Sequence, residues 1–267
     1  MRELKFWQVD AFTQEPFKGN PAAVFILEKE LDDDLMQLIA IEMNLSETAF
    51  ILLRENKNPL LRWFTPMYEI DLCGHATIAS SEVYFSHVAR YTDKVVFDTK
   101  YVGPIEVNKC DQAYTMSFPL REGEEVNVNS IPKYILDSLS SSKPIYAAKS
   151  RDLMLVYDNE DSVLEMKPDF NKLLECDEFI IVTAKSSNPK YDFISRFFCA
   201  AEGILEDPVT GSAHSTLAPY WAKQLNKTNM LAYQASKRGG ELRLEMKADH
   251  VNITGYAVKL IEGCMSL

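Results

Sequence analysis

Residues 71–81 read DLCGHATIASS, and this segment predicts the start of a helix built almost entirely from small side chains. The helical pattern continues to about Val88. A helix without a strongly polar face is typical of a protein interior. Its alanines and serines would let strands approach the helix axis closely. We therefore expect a central helix that is wrapped by a sheet.

A second segment of the same kind occurs in the other half of the chain. Residues 206–218 read EDPVTGSAHSTLA, and Gly211 follows Gly74 by 137 positions in a chain of 267 residues. Strand-like segments precede both helix starts, and this self-similarity indicates a repeated structural unit. The predicted fold class is α/β (α+β), with two pseudo-repeated domains, each a mixed, largely antiparallel sheet rolled round a central helix.

The polar and acidic segment 119–126 marks the predicted domain boundary. It gives domains at 1–120 and 121–267, with a last strand near 256–267 that can return to the first domain. A helix is predicted at 31–43, because acidic residues fill its first turn, where the helix dipole favours negative charge. Alternating or apolar runs predict strands at 6–12, 22–27, 49–53, 60–66, 94–98, 105–107, 114–118, 145–148, 152–157, 179–183, 192–198, 231–235, 241–246 and 250–255.

The chain carries 28 Lys and Arg residues against 39 Asp and Glu residues, a formal net charge of −11. This negative charge repels phosphate backbones, so we expect no nucleic-acid partner. No run approaches the about 20 apolar residues of a membrane-spanning helix, and the first residues lack the apolar core of a signal peptide. Five cysteines without a Cys-x-x-Cys pair indicate reduced thiols. These features predict a cytoplasmic protein with no membrane partner.

The two helix starts are candidate anion sites. The first turn of a helix has N–H groups without intrahelical partners and a partial positive charge. Gly74 and Gly211 would let a ligand reach this backbone closely, and Ser212 adds a hydroxyl group. Two such ends can hold a small carboxylate or stabilise an enolate. The alternative is ordinary capping of the helices by Asp71 or Ser212.

Three titratable residues are candidate catalysts. Glu47 lies at the start of an apolar strand, where a partly desolvated carboxylate is suited to acid/base catalysis. His75 lies in the first turn of a helix, which disfavours the imidazolium and leaves a neutral ring that can shuttle a proton. Asp207, just before the second helix start, could orient a substrate amine or a histidine. The alternatives are a solvent-facing glutamate, a core or capping histidine and an Asx-type turn.

The sequence lacks the known cofactor and metal motifs. It contains no Gly-x-Gly-x-x-Gly, no Gly-x-x-x-x-Gly-Lys-Ser/Thr, no His-Glu-x-x-His and no Gly-x-Ser-x-Gly. No three metal ligands stand at a plausible spacing. We therefore expect no cofactor and no metal, and chemistry that side chains carry out alone.

An ordered set of segments resembles the phenazine-biosynthesis-like (PhzF-like) family, which has a diaminopimelate epimerase-like fold. The resemblance spans nearly the whole chain in the family's order. The segments that carry it are 9–13 (VDAFT), 16–24 (PFKGNPAAV), 44–50 (NLSETAF), 62–66 (RWFTP), 72–77 (LCGHAT), 206–213 (EDPVTGSA) and, more weakly, 234–240 (QASKRGG).

The resemblance implies a cofactor-independent isomerase that acts on a small acid in a cleft between two domains. Glu47 matches the family's proton-transferring glutamate, and His75 and Asp207 match its usual companions. Gly74 and Ser212 match substrate-binding positions at the helix starts. A homodimer is expected, since homodimers are common in the family. The predicted substrate-binding residues are Ser46, Gly74, Gly211, Ser212 and Asn20.

Three functional hypotheses stay open at this point. The first is an isomerase in which Glu47 takes a proton from one carbon and returns it to another. The second is an epimerase or racemase of an amino or hydroxy acid, with Glu47 and either His75 or Asp207 as the two bases. Related epimerases use a cysteine at each helix start, whereas here only the first start has one, Cys73. The third is a binding or scaffold protein that keeps the fold without the chemistry.

Overall fold

The computed structural model of the chain describes residues 3–139, 142–200 and 203–267. Its helices and strands, in chain order, are β1 (Glu3–Ala11), β2 (Asn20–Leu27), α1 (Asp33–Met43), β3 (Glu47–Leu52), β4 (Leu60–Phe64), β5 (Glu69–Ile70), α2 (Gly74–His87), β6 (Lys94–Thr99), β7 (Ile105–Cys110), β8 (Ala113–Pro119), β9 (Glu124–Glu125), α3 (Lys133–Leu139), β10 (Tyr146–Lys149), β11 (Leu153–Val156), α4 (Asp161–Leu164), α5 (Phe170–Leu173), β12 (Ile180–Lys185), β13 (Phe193–Cys199), β14 (Ile204–Asp207), α6 (His214–Leu225), β15 (Asn229–Gln234), β16 (Gly240–Met246) and β17 (His250–Ser266). Short 3-10 turns occupy Val128–Ser130 and Gly211–Ala213.

The chain divides into two compact units. The first contains the residues up to Ser117 together with Thr254–Leu267, and the second is Phe118–Ile253. The last strand, β17, therefore begins in the second unit and ends in the first. None of the helices among the described residues combines the length and the hydropathy needed to cross a bilayer.

Strands of the first unit pair into a closed ring in the order β1, β2, β3, β4, β6, β7, β8 and β17. The β2–β3 and β4–β6 pairs are parallel, and the β1–β2, β3–β4, β6–β7, β7–β8 and β1–β17 pairs are antiparallel. Helix α2 packs on β1, β2 and β3, and its residues from Gly74 to Ser81 are all buried. The ring thus encloses the first turns of α2, as the small side chains predict.

The second unit repeats this order of pairing. Its strands β10–β11, β12–β13 and β15–β16 are antiparallel, whereas β11–β12 and β13–β15 are parallel. This alternation matches that of β1–β2, β2–β3, β3–β4, β4–β6 and β6–β7 in the first unit. The predicted fold class, two pseudo-repeated units of a mixed, largely antiparallel sheet round a helix, is confirmed.

Each unit contains an arginine–glutamate ion pair of the same kind. In the first unit, Arg62 of β4 binds both carboxylate oxygens of Glu69 on β5, at 2.6 and 2.8 Å. In the second, Arg196 of β13 binds Glu206 of β14 in the same way, at 2.7 and 3.0 Å. Each guanidinium also lies 5.1 Å from the ring of the phenylalanine two residues further on. A bidentate pair of this kind fixes the mutual position of two strands.

Three details differ from the predicted elements. Helix α1 begins at Asp33, because the side chain of Asp32 accepts the N–H of Leu35 and caps the helix. Strand β17 joins the strands predicted at 250–255 and near 256–267 into one continuous strand. Gly255 lies within it and leaves room for the Phe12 ring, since a Cβ there would lie 2.4 Å from that ring. Helices α3, α4 and α5 are short, and too few residues carry their periodicity to predict them.

Candidate active site

Glu47 and His75 meet in the first unit. Glu47 is the first residue of β3 and is held beside Ala22 of β2, and His75 is the second residue of α2. Glu47 Oε2 lies 3.0 Å from His75 Nε2, and both side chains are buried. The two atoms are close but not aligned as a hydrogen bond, and neither has a hydrogen-bond partner among the described residues. Catalytic groups often align only when a substrate is bound.

The other ring nitrogen of His75 faces two further side chains. Asn20 Nδ2 lies 3.1 Å from Nδ1, and Cys73 Sγ lies 3.4 Å from the same atom. When the ring is neutral and Asn20 donates to Nδ1, the ring proton resides on Nε2 and faces Glu47. Asn20 is one of the predicted substrate-binding residues, and its amide lies against the histidine. Its contact with His75 makes Asn20 a residue that positions the ring.

The pKa values of His75 and Cys73 show how the cluster is charged. Burial of the ring lowers the pKa of His75, but the negative charges of neighbouring groups outweigh burial and hold that pKa well above 6.5. Burial raises the pKa of the Cys73 thiol to about 11. The contacts with Cys73 and then with Glu47 are the causes that raise the pKa of His75. The start of the helix favours a neutral ring, whereas the contacts with Cys73 and Glu47 favour the imidazolium, and the neutral ring stays a prediction.

The start of α2 carries no side-chain cap. Cys73 occupies the N-cap position and makes no side-chain hydrogen bond there, and Asp71 is exposed and does not serve as the cap. Gly74 is buried at the first helical position. The first N–H groups of this helix are therefore suited to an anion. Ser46, half-buried, lies in the turn that leads into Glu47.

The loop before Asn20 is held in a fixed conformation. Asp10 is fully buried, and its Oδ2 accepts the backbone N–H of Phe17 at 2.8 Å. Gly19 has a φ of 63°, and a Cβ added there would lie 2.1 Å from the carbonyl oxygen of Ala11. Only glycine satisfies both conditions, which explains its place directly before Asn20.

Gly19→Ala is expected to lower the free energy of unfolding by about 3 kcal/mol, from the left-handed backbone and the overlap with Ala11 together. It should also shift Asn20, and with it the imidazole NMR signals of His75. Gly103→Ala is the matched control, since Gly103 has a φ of 79° but no atom within 4 Å of an added Cβ. Urea unfolding measures both variants. Equal losses of stability would contradict the role given to the Ala11 contact.

The second unit carries Asp207, Gly211 and Ser212. Asp207 ends β14, and its carboxylate accepts the hydroxyl of Thr210. Gln234, fully buried, donates to the backbone oxygen of Asp207 at 2.8 Å and accepts the N–H of Thr210 at 2.8 Å. Gly211 is buried in the 3-10 turn before α6. Sequence reasoning did not assign a role to Gln234, although it begins the weakest of the segments that carry the family resemblance.

Ser212 does not cap the second helix. Thr210 occupies the position before the 3-10 turn Gly211–Ala213 and makes no side-chain cap bond there. Ser212 Oγ instead accepts a hydrogen bond from Arg151 at 3.1 Å. The same guanidinium binds both carboxylate oxygens of Asp152, at 2.6 and 2.8 Å, so its charge is already paired. The sequence contains no local signal for this arginine, because it lies 61 residues away along the chain.

His214, the first residue of α6, makes the stability of the second unit depend on pH. Its Nδ1 lies 2.9 Å from the Thr210 carbonyl oxygen, so Nδ1–H donates and Nε2 carries a lone pair. Nε2 is buried without a hydrogen-bond partner among the described residues. Burial lowers the pKa of His214 from 6.5 to about 4, because a second ring proton would have no acceptor.

Since the unfolded chain takes up this proton near pH 6.5 and the folded chain only near pH 4, stability falls as the pH drops through that window. The expected loss is about 3 kcal/mol. His214→Gln should remove this contribution, as the amide can still donate to Thr210. Urea unfolding between pH 7 and pH 4 gives the comparison, in which the other titrating groups cancel. Parallel curves for wild type and variant would show that His214 is not the group responsible.

One cluster among the described residues could hold a metal ion. Glu47, Cys73 and His75 each offer a ligand atom, and these atoms lie within 4.8 Å of one another. Carboxylate, thiolate and imidazole are ligand types found in zinc sites.

Comparisons with known proteins agree with this architecture. Residues 9–263 match the family model described as phenazine biosynthesis-like protein. A relative from Halalkalibacterium halodurans that is named an uncharacterized isomerase is 44% identical, with 98% of each chain covered. The crystal structure of a PhzF family protein from Enterococcus faecalis is similar with a TM-score of 0.93 and 42% identity, and 100% of each chain is covered.

A more distant structure bears on the fold alone. A predicted epimerase from Pseudomonas aeruginosa matches with a TM-score of 0.74 at 18% identity, over 97% of this chain and 98% of the other. The predicted diaminopimelate epimerase-like fold is confirmed.

Proposed function

Since this chain belongs to the phenazine biosynthesis-like family, we propose that it is a cofactor-independent isomerase of a small carboxylic acid, with Glu47 as its proton-transferring group. Relatives in this family carry the name isomerase. The observation that supports the assignment most is the contact between Glu47 Oε2 and His75 Nε2, 3.0 Å apart, buried and without other hydrogen-bond partners among the described residues. Both atoms can therefore exchange a proton with a bound substrate.

In the proposed reaction, Glu47 removes a proton from a carbon of the substrate. The electron pair of that C–H bond moves into a new double bond, the substrate double bond shifts, and the proton returns at another carbon. His75 shares the proton with Glu47 and is held in orientation by Asn20 at Nδ1. General acid/base catalysis of this type contributes about 10²- to 10⁴-fold to a rate.

The start of α2 is the proposed site for the substrate carboxylate or for the negative charge that develops on it. Its N–H groups have no side-chain cap, and buried Gly74 leaves the backbone open to a ligand. The same role is proposed for Gly211 and Ser212 in the second unit, next to Arg151. Asp207 as a companion of Glu47, and Ser46 as a substrate contact, stay predictions of the family resemblance.

Deuterium incorporation tests this function. Small carboxylic acids with a C–H bond next to a double bond are incubated with the enzyme in D2O, and the products are followed by NMR and mass spectrometry. An isomerase moves the double bond, and deuterium enters the new C–H bond to the extent that the proton on Glu47 exchanges with solvent before it is returned. Deuterium at a stereocentre without movement of the double bond would instead support an epimerase or racemase. Binding of acids with neither a moved double bond nor exchange would favour a binding protein that keeps only the fold.

The homodimer and the cytoplasmic location also stay predictions. Light scattering coupled to gel filtration measures the first, and a mass of about one chain would contradict it. The identity of the acid is the subject of the deuterium screen.

A further inference from the structure

Glu47 and His75 have a third neighbour that the proposed reaction does not use. Cys73 Sγ lies 3.4 Å from His75 Nδ1, and the three side chains can bring ligand atoms within 4.8 Å of one another. Across residues 3–139, 142–200 and 203–267, this is the group of His, Cys, Asp and Glu side chains that comes this close. All three residues are buried.

Two atoms of this cluster lack the partners that buried polar atoms normally have. Glu47 Oε2 and His75 Nε2 are shielded from solvent, and within the described part of the chain neither makes a hydrogen bond. A buried polar atom without a partner indicates a bound ligand, water or ion. The carboxylate oxygen presents a lone pair, and Nε2 presents one once the ring has lost its proton, so a cation can bind both atoms.

We propose that Glu47, Cys73 and His75 form a binding site for a thiophilic divalent cation such as Zn²⁺, which blocks the acid/base pair by occupying it. Zinc takes these three ligand types, and three protein ligands leave a fourth coordination position open. On binding, the thiol of Cys73 and the protonated ring of His75 each give a proton to solvent, and the thiolate and the carboxylate balance the charge of the cation. The blocking effect rests on the proposed function, whereas binding does not.

The distances are compatible with this site. Zinc bonds of about 2.0–2.3 Å place the ligands of a tetrahedral site about 3.5 Å apart. Glu47 lies beside Nε2 of His75 and Cys73 beside Nδ1, so the imidazole ring must turn before one nitrogen faces both ligands. The ligand atoms lie within 4.8 Å of one another and must approach by about 1 Å to reach zinc-site spacing. The side chain of Glu47 is 12% exposed to solvent, and an ion can reach the site along this side.

Titration with Zn²⁺ against a chromophoric chelator tests the binding. One ion per chain is expected, and Cys73→Ser and His75→Asn should weaken binding by more than the about 10- to 100-fold that loss of an outer-shell partner costs. Cys176→Ser is the matched control, since Cys176 is also buried but lies in the second unit. Circular dichroism checks that each variant is folded. Co²⁺ should give a thiolate-to-metal absorption band in the wild type that is absent from Cys73→Ser.

Unchanged affinity in Cys73→Ser and His75→Asn, or a Co²⁺ complex without a thiolate band, would overturn the site. The binding assay uses no substrate, so it stands even if the deuterium screen finds no reaction. Where turnover is found, Zn²⁺ should abolish it in the wild type and in Cys176→Ser, and a chelator should restore it. Turnover that persists with the ion bound would overturn the blocking effect alone.

Discussion

Glu47→Gln is expected to lower kcat by about 10²- to 10⁴-fold on any acid that the wild type isomerises. Glutamine has the size of glutamate, so the strand β3 and the contact with His75 are kept. Its amide neither accepts nor returns a proton, and therefore both halves of the proposed reaction are lost. The rate at which the substrate double bond moves, read by NMR, measures the effect on turnover.

Glu106→Gln is the control for this variant. Glu106 lies on β7 at the surface, where its carboxylate pairs with Lys94 at 2.6 Å, and it is not part of the site. Its loss should leave turnover unchanged. Substrate binding should survive in Glu47→Gln, since the start of α2 is intact. Full activity of Glu47→Gln would remove Glu47 from the mechanism and leave His75 as the group to test next.

Arg196→Met is expected to lower the free energy of unfolding of the second unit by about 3–5 kcal/mol. Arg196 is the cation that pairs with the half-buried carboxylate of Glu206, and it also donates to the carbonyl oxygens of Val163 and Met166, at 3.2 and 2.8 Å. Methionine fills the space but leaves a charge and two acceptors without their donor. Hydrogen exchange of the β12 and β13 amides measures the loss.

The first unit supplies the matched control, Arg62→Met. Without Arg62, Glu69 still accepts hydrogen bonds from Lys100 at 2.8 Å and from the hydroxyl of Tyr101 at 3.2 Å. The loss in free energy of unfolding should therefore be clearly smaller than for Arg196→Met. The double variant Arg196→Met with Glu206→Gln should recover part of the stability, because no uncompensated charge is then buried. If Arg62→Met and Arg196→Met lower the free energy of unfolding equally, Lys100 and Tyr101 do not compensate Glu69 for the loss of Arg62.

The elements that sequence reasoning predicted well have strong local signals. The segment at 74–81 consists mostly of small side chains without charge, a composition typical of a buried helix that strands approach closely, and all of its residues are buried. The strands of the repeat consist of apolar runs. The short helices α3, α4 and α5 have no such signal, since a helix of one or two turns shows too little periodicity and depends on the core that covers it.

In the candidate site, too, some features could be predicted from the sequence and others could not. Residue types and spacing made Glu47, His75 and Asp207 candidates, and the family resemblance selected them; their roles stay predictions. Neither the upward direction of the His75 pKa nor the position of Asn20 against its ring could be read from the sequence. Both depend on side chains that are 28 and 55 positions away from His75 along the chain and are brought together by the pairing of β2 with β3 round α2.

The sequence by itself determined the repeat, the central helix of each unit and the residues capable of proton transfer, because these depend on composition and on periodicity over neighbouring positions. The tertiary structure decided which of those residues touch. It brought Glu47 within 3.0 Å of His75, left both atoms without hydrogen-bond partners among the described residues and added Cys73 to the cluster. The physical reason is that Coulomb interactions and hydrogen bonds act over a few ångströms in space, irrespective of separation along the chain.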